Sequence, residues 1–260
     1  MCPNLISLCG IVLLLISCSP APDNNGQQQP NPPELSEAEQ IVQASIAAHG
    51  GQDRWQGLTG IKYVKTVTLF DAAGNVETSM KQYHEYVLHP KVSGSISWQS
   101  GADSINIIYE SDQAYRLVNG QMDSTASPES AKNTFMAAYH VLFQPFLLGG
   151  EGVSLAYEGD ETLANGSEVH VIRPEYEDSN GDEWWYYIDK ASKLVVGYMV
   201  FHVDHHAYVL NLAYDDQTPM VMNRHRKSYR SDRARNIEYT RAEYYYEDYE
   251  MTFAEASTAM

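Results

Sequence analysis

Hydrophobic and polar positions follow three rhythms along the chain. Leu5 to Cys18 reads LISLCGIVLLLISC, an apolar run without a charge. Ser19 to Pro33 has no apolar pattern and is rich in proline, asparagine and glutamine, the composition of a disordered tether. From Leu35 onward ordered elements begin. Ser36 followed three residues later by Glu39 is a capping-box signature, and Ile41, Ala44, Ser45 and Ala48 give a weakly apolar helix face that stops at Gly50-Gly51. Trp55 and Leu58 follow and are expected to pack this helix onto the domain.

At Gly60 the period changes from 3.6 to 2. Ile61, Tyr63, Val67 and Leu69 share one strand face, with Lys65 the exception, while Lys62, Thr66 and Thr68 share the other. Asp71-Ala72-Ala73-Gly74 turns the chain into a long second strand, Val76 to Leu88. Shorter strands are predicted over Gly94–Gln99, Ser104–Glu110 and Ala114–Val118. The linkers between them are too short for a crossover helix, so the strands form a meander of hairpins. Ser127-Pro128-Glu129 carries cap, N1 and first-turn signals of a second helix. That helix holds Phe135, Met136, Tyr139, Leu142 and Phe143 at helical spacing, and Pro145 kinks or ends it before Phe146-Leu147-Leu148.

Strands resume over Val153–Tyr157, Glu168–Arg173, Trp184–Ile188, Leu194–Asp204 and Ala207–Tyr214, with Asn165-Gly166 and Asn180-Gly181 as hairpin-type turns. The stretch around Arg224 alternates less well, and Glu238 to Phe253 reads as a Tyr- and Glu-rich strand. The fold class is mainly β (α+β): an antiparallel sheet of about ten or eleven strands with two helices. Val196, Tyr198 and Val200 fall on one face of their strand, and Val195, Met199 and Phe201 on the other. Both faces are apolar, so one must be covered by the helices or line a cavity closed by them.

Composition and charge narrow the function. There are 34 acidic against 17 basic residues, for a formal charge of −17, and every charged residue lies beyond Cys18. Such a surface repels nucleic-acid phosphates and anionic headgroups. Nucleic acid is therefore excluded as a partner, and a monomer is expected. Cys2, Cys9 and Cys18 are the only cysteines, so the domain after Cys18 has neither disulfides nor thiol chemistry. Nineteen tyrosines suit sheet and aromatic-lined surfaces.

Leu15-Ile16-Ser17-Cys18 resembles the lipobox of bacterial lipoproteins. That resemblance implies a signal peptide over 1–17 and acylation of Cys18; composition and the order of elements then divide the remainder into a tether over 18–34 and a single domain over 35–255. Residues Met1 to Asn4 depart from the pattern, because they carry no lysine or arginine. Ser19 after the cysteine implies, by the same resemblance, sorting to the outer membrane, with the domain facing the periplasm and the anchor as its membrane partner.

The order of elements from Ser36 to Phe253, together with Ala47-Ala48-His49-Gly50-Gly51, Trp55, Leu58 and Gly60, resembles the LolA/LolB superfamily of lipoprotein-sorting and lipid-carrier proteins. The short motif also resembles the opening of uncharacterised lipoproteins from Bacteroidetes-type bacteria. The superfamily resemblance implies a half-barrel wrapped around helices, with a lipid, acyl chain or other apolar ligand in its cavity. The candidate lining is Phe135, Met136, Tyr139, Leu142, Phe143, Phe146 and Leu147, which in the plainer reading are core.

Arg224, Arg226 and Arg230 stand in a basic stretch. They either bind an anionic headgroup at the cavity mouth or pair with Glu238, Glu243, Glu247 and Asp248 on neighbouring strands. His202, Asp204 and His206 have the residue types of a zinc site. Spaced two apart on a flat strand, though, they lie too far from one another to share an ion easily, so a polar strand end and turn is the simpler reading. No G-x-S-x-G, H-E-x-x-H, phosphate loop or G-x-G-x-x-G occurs, so no enzyme activity and no cofactor are expected. A non-catalytic interaction module of the envelope is the alternative function, and a metal-dependent hydrolase at His202–His206 is a third.

Overall fold

Glu39 and Ser36 cap one another. The Glu39 N–H donates to Ser36 Oγ at 3.3 Å, and the Glu39 carboxylate accepts from the Ser36 N–H at 2.7 Å. This pair opens helix α1 (Glu37–Ala48) in the computed structural model, which describes residues 34–176, 181–202 and 205–255. Cys18, the tether as far as Pro33, Asn180 and Asp204 lie outside the described residues. Ser36 is exposed, so Ser36→Ala removes the cap and little else. Urea unfolding is expected to show a loss of about 1 kcal/mol.

The buried face of α1 is Ala38, Val42, Ser45 and Ile46, one position round from the face predicted around Ile41 and Ala44. Val42 and Ile46 are the larger apolar side chains on that side, and they turn the helix so that both are buried. A short helix α2 (Gln52–Gly57) leads into the sheet.

Among the described residues, thirteen antiparallel strands form one sheet. The first six are β1 (Leu58–Phe70), β2 (Val76–Val87), β3 (Ser93–Ser100), β4 (Asp103–Glu110), β5 (Gln113–Val118) and β6 (Gln121–Met122). Helix α3 (Pro128–Leu142) and a 3₁₀ turn (Phe146–Gly149) interrupt them. The last seven are β7 (Val153–Thr162), β8 (Glu168–Tyr176), β9 (Glu183–Asp189), β10 (Val195–His202), β11 (His205–Asp215), β12 (Met222–Ser231) and β13 (Ile237–Phe253).

The spatial order is β6-β5-β4-β3-β2-β1-β13-β12-β11-β10-β9-β8-β7. Every neighbouring pair is consecutive in sequence except β1 and β13. The architecture is therefore two meanders joined at the centre by the first and last long strands, with Lys65 opposite Tyr246 and Val67 opposite Tyr244 in the joint. The sheet curves without closing. Ten or eleven strands were expected. The two-residue β6 is one addition, and the basic stretch is the other, since it forms β12.

Two apolar clusters cover the two faces. The larger one packs α1, α3 and the 3₁₀ turn, through Ile46, Phe135, Phe143 and Phe146, against inward residues such as Tyr86, Ile107 and Tyr186. The smaller one holds Val169, Trp185, Tyr187, Met199 and Tyr208 on the opposite face of the second meander. Arg233 and Arg235 lie over Trp185 and Tyr187, with guanidinium-to-ring distances of 5.7 and 5.2 Å, and Arg235 also pairs with Glu161. A register shift between Val195 and Gly197 corrects the predicted facing of β10. Val195, Tyr198 and Val200 belong to the larger cluster, whereas Val196 and Phe201 pack on the smaller. A bulge reverses side-chain parity, and strict alternation cannot anticipate that.

Candidate functional site

Helix α3 does not fill the concave side. Between it and the sheet lies a cavity of about 1270 Å³, larger than the roughly 300–1,000 Å³ usual for small-molecule sites. Ile96, Val200, Ala207 and Val209 supply apolar wall from the sheet, and Met136, Ala137 and Val141 supply it from α3. The central strands contribute a polar floor: Lys65 and Gln82 from β1 and β2, Arg226 and Ser228 from β12, Tyr244 and Tyr246 from β13. Carboxylates enter the lining from connecting segments, Glu151 after the 3₁₀ turn and Asp182 before β9.

Arg226 is 2% exposed. Its Nε donates to Asn211 Oδ1 at 2.9 Å, and one terminal nitrogen donates to the Val141 carbonyl at 3.1 Å. That carbonyl lies in the last turn of α3, where helix carbonyls lack intrahelical partners and carry partial negative charge. The guanidinium also lies 5.6 Å from the ring centres of both Tyr198 and Tyr246. Lys65 Nζ stands 5.2 Å from the centre of the Tyr244 ring. Burial, and secondly the positive charge of Arg226, bring the Lys65 ammonium down to about 8. Burial raises the Tyr198 and Tyr246 hydroxyls above their ordinary range, so both remain protonated donors.

His84 and His140 also face the cavity. His84 Nδ1 lies 3.0 Å from the Tyr63 hydroxyl and 3.3 Å from that of Tyr86, and its Nε2 lies 3.3 Å from Gln82 Oε1. Burial, followed by the charge of Lys65, holds it well below the usual histidine range. His140 Nε2 lies 3.0 Å from the Tyr186 hydroxyl, and burial lowers this group to about 4. Both rings are neutral at pH 7.

The predicted residues divide among several places. Of the seven apolar candidates, Met136 lines the cavity. Phe135, Leu142, Phe143 and Phe146 are buried core, and Tyr139 and Leu147 are partly buried against it. Of the three arginines, Arg226 is inside the cavity, Arg224 is exposed, and Arg230 is half-buried opposite Tyr239. The cross-strand pairing foreseen for the basic stretch is made by two of its members: His225 and Lys227 meet Glu243 at 2.7 and 3.3 Å.

His202 lines the cavity and lies 3.0 Å from Asp182. It is opposite His205 across the β10–β11 hairpin, so His202 and His206 are on different strands, and His206 packs against Phe201 instead. Among the described residues, no group of three or more His, Cys, Asp or Glu side chains is placed to hold a metal ion. Sequence reasoning missed Lys65, His84, His140, Tyr198, Tyr244 and Tyr246 as cavity residues. One signal was available, the single charge on the apolar face of β1.

No protein family and no curated protein matches the chain by sequence. Solved structures do match its fold. A DUF1329 family protein from Desulfovibrio piger superposes with a TM-score of 0.57 at 8% identity, over 85% of this chain and 96% of that one. A putative outer membrane lipoprotein-sorting protein domain from Vibrio parahaemolyticus gives 0.52 at 10% identity, over 84% and 93%. A LolA superfamily protein from Nitrosomonas europaea gives 0.51 at 6% identity, over 85% and 96%. The fold is LolA-like. At these identities the likeness is one of architecture, and the residues inside this LolA-like half-barrel carry their own chemistry. Its cavity is not uniformly apolar: cations and tyrosine hydroxyls form one part, aliphatic side chains the rest.

Proposed function

We propose that this chain is a non-catalytic lipoprotein of the outer membrane, anchored through Cys18 and facing the periplasm, whose half-barrel holds a lipid or other acyl-bearing ligand. The cavity between α3 and the sheet carries this reading, since the concave face is left unfilled where a purely structural domain would pack it with side chains. The fold likeness to a lipoprotein-sorting domain and to a LolA superfamily protein supports it, as does the lipobox-like Leu15 to Cys18. A mature lipoprotein of this kind carries several acyl chains, and anchoring by two or more chains is effectively stable. Such a protein receives or presents lipid at one membrane and does not ferry it across the periplasm alone.

Native mass spectrometry of residues 19–260, purified without detergent, tests the reading. The expected spectrum contains protein bearing a non-covalent adduct of lipid mass, lost on solvent extraction and restored by added long-chain lipid. A spectrum of bare protein that takes up no added lipid would refute the proposal.

A further inference from the structure

Lys65 and Arg226 form an unusual arrangement of charge. Both line the cavity, and both flank the same two tyrosines. Lys65 is opposite Tyr246 in the strand register and lies over Tyr244; Arg226 is opposite Tyr244 and lies near Tyr246. Among the described residues neither cation has a carboxylate within ion-pair distance, and Lys65 Nζ makes no hydrogen bond. Arg226 is partly compensated by Asn211 and by the carbonyl end of α3. Two like charges, one buried and one half-buried, without a counter-ion are unfavourable, and proteins keep such groups where a charged partner completes them. The setting sharpens the point, because the chain as a whole carries −17.

We propose that the cavity selects an anionic amphiphile, a carboxylate or phosphate monoester on an apolar tail, with its head group between Lys65 and Arg226 and its tail along Met136, Ala137 and Val141. The inference rests on the lipid-binding reading and narrows it to a ligand class. The head group is the counter-ion the two cations lack. The Tyr198 and Tyr246 hydroxyls add neutral donors beside it. The tail replaces empty volume along the inner face of α3. Neutral lipids of equal length fill the same volume but leave both charges unpaired, so discrimination falls on the head group. A charge-assisted hydrogen bond is worth about 1.5–3 kcal/mol, which corresponds to roughly tenfold or more in affinity.

The test uses the full-length acylated protein in phosphatidylcholine nanodiscs, with diazirine-bearing probes of one chain length: a fatty acid, a lysophosphatidate and a fatty alcohol. Photolabelled peptides are identified by mass spectrometry. Both acids are expected to label the α3 peptide containing Met136 roughly tenfold more than the alcohol, and their relative yields show whether carboxylate or phosphate is preferred. Lys65→Met is expected to remove most of that preference without lowering alcohol labelling, and Lys65→Arg to retain it. Because partition into the bilayer is the same for every variant, the comparison reports the cavity. Thermal unfolding of Lys65→Met should match the parent or exceed it, since an unpaired, half-buried charge is removed. Equal labelling by acid and alcohol, or an unchanged preference in a folded Lys65→Met, overturns the inference while the lipid-binding reading stands. Absence of α3 labelling by any probe overturns both.

Discussion

His49→Ala is expected to lower folding stability by about 3 kcal/mol at pH 7 and to flatten the dependence of stability on pH between 6.5 and 5. The ring is 3% exposed and joins three elements. Nδ1 lies 3.0 Å from the Val221 carbonyl and Nε2 accepts from the Val195 N–H at 3.2 Å, while Phe146 and Tyr214 meet the ring edge-on at 6.4 and 6.3 Å. An N–H aimed at Nε2 requires that nitrogen to be unprotonated, so the proton sits on Nδ1 and the imidazole is neutral. Truncation leaves a buried donor and a buried acceptor unpaired, at about 1–3 kcal/mol each, and opens a cavity beside two aromatic rings.

The pH effect has the same origin. Burial lowers His49 to about 4, against 6.5 for the free side chain. As pH falls from 6.5 toward 4 the unfolded chain takes up a proton that the folded chain refuses, so stability is lost across that window, at up to about 1.4 kcal/mol per pH unit for each such group. His140 is lowered to about 4 and His84 lies well below its usual value, so both act in the same direction. Urea unfolding followed by tryptophan fluorescence at pH 7.0 and 5.0 measures the effect. Equal stabilities at the two pH values would contradict the neutral assignment.

The second large effect is expected at Gly94. It pairs with Tyr86 across β2 and β3 and has φ of 152°. A methyl group there would stand 2.0 Å from the Glu85 carbonyl oxygen. That oxygen belongs to the backbone and has no rotamer to escape through, so β3 must move away from β2. The movement would disturb Tyr86, which is 1% exposed and lies 5.0 Å from Phe135 on α3. Gly94→Ala is expected to cost at least about 3 kcal/mol, the upper end of the usual range for one substitution. Gly74, in the β1–β2 turn with φ of 86° and open space around it, provides the comparison. Its replacement by alanine should cost only about 1 kcal/mol. Thermal melts of the two variants against the parent decide the matter, and similar shifts for both would refute the steric argument.

Much of the fold was legible because most elements carry local signals. The capping box at Ser36 and Glu39, the Ser127-Pro128 helix start and the hairpin turns all act within a few residues. The joint between β1 and β13 involves residues nearly two hundred positions apart, and no local pattern encodes it. Strand β12 escaped for a different reason. Its inward positions include Arg226 and Ser228, so the alternation that marks a strand was written in polar residues on both sides. The site was obscured by the same chemistry. An apolar stripe on α3 drew attention as lining, yet Phe135, Leu142 and Phe143 are the residues that seat the helix on the sheet. The cavity lies beside them, where side chains are smaller or more polar. Lys65 was visible as an exception on an apolar face, but an exception acquires meaning only when a second one, Arg226, is brought next to it by folding.

The joint has a consequence for how the protein is made. Strand β13 is the last strand among the described residues, and it pairs with the first strand at the middle of the sheet instead of extending an outer edge. A chain that has emerged only as far as β12 therefore holds two separate meanders, each with a bare inner edge, and Lys65 and Arg226 belong to different halves. Contacts of such long sequence separation form late and slowly, and unpaired edges invite wrong partners until they do. The cationic floor comes into existence only in the completed molecule, so an unfinished chain offers an anionic ligand nothing to hold.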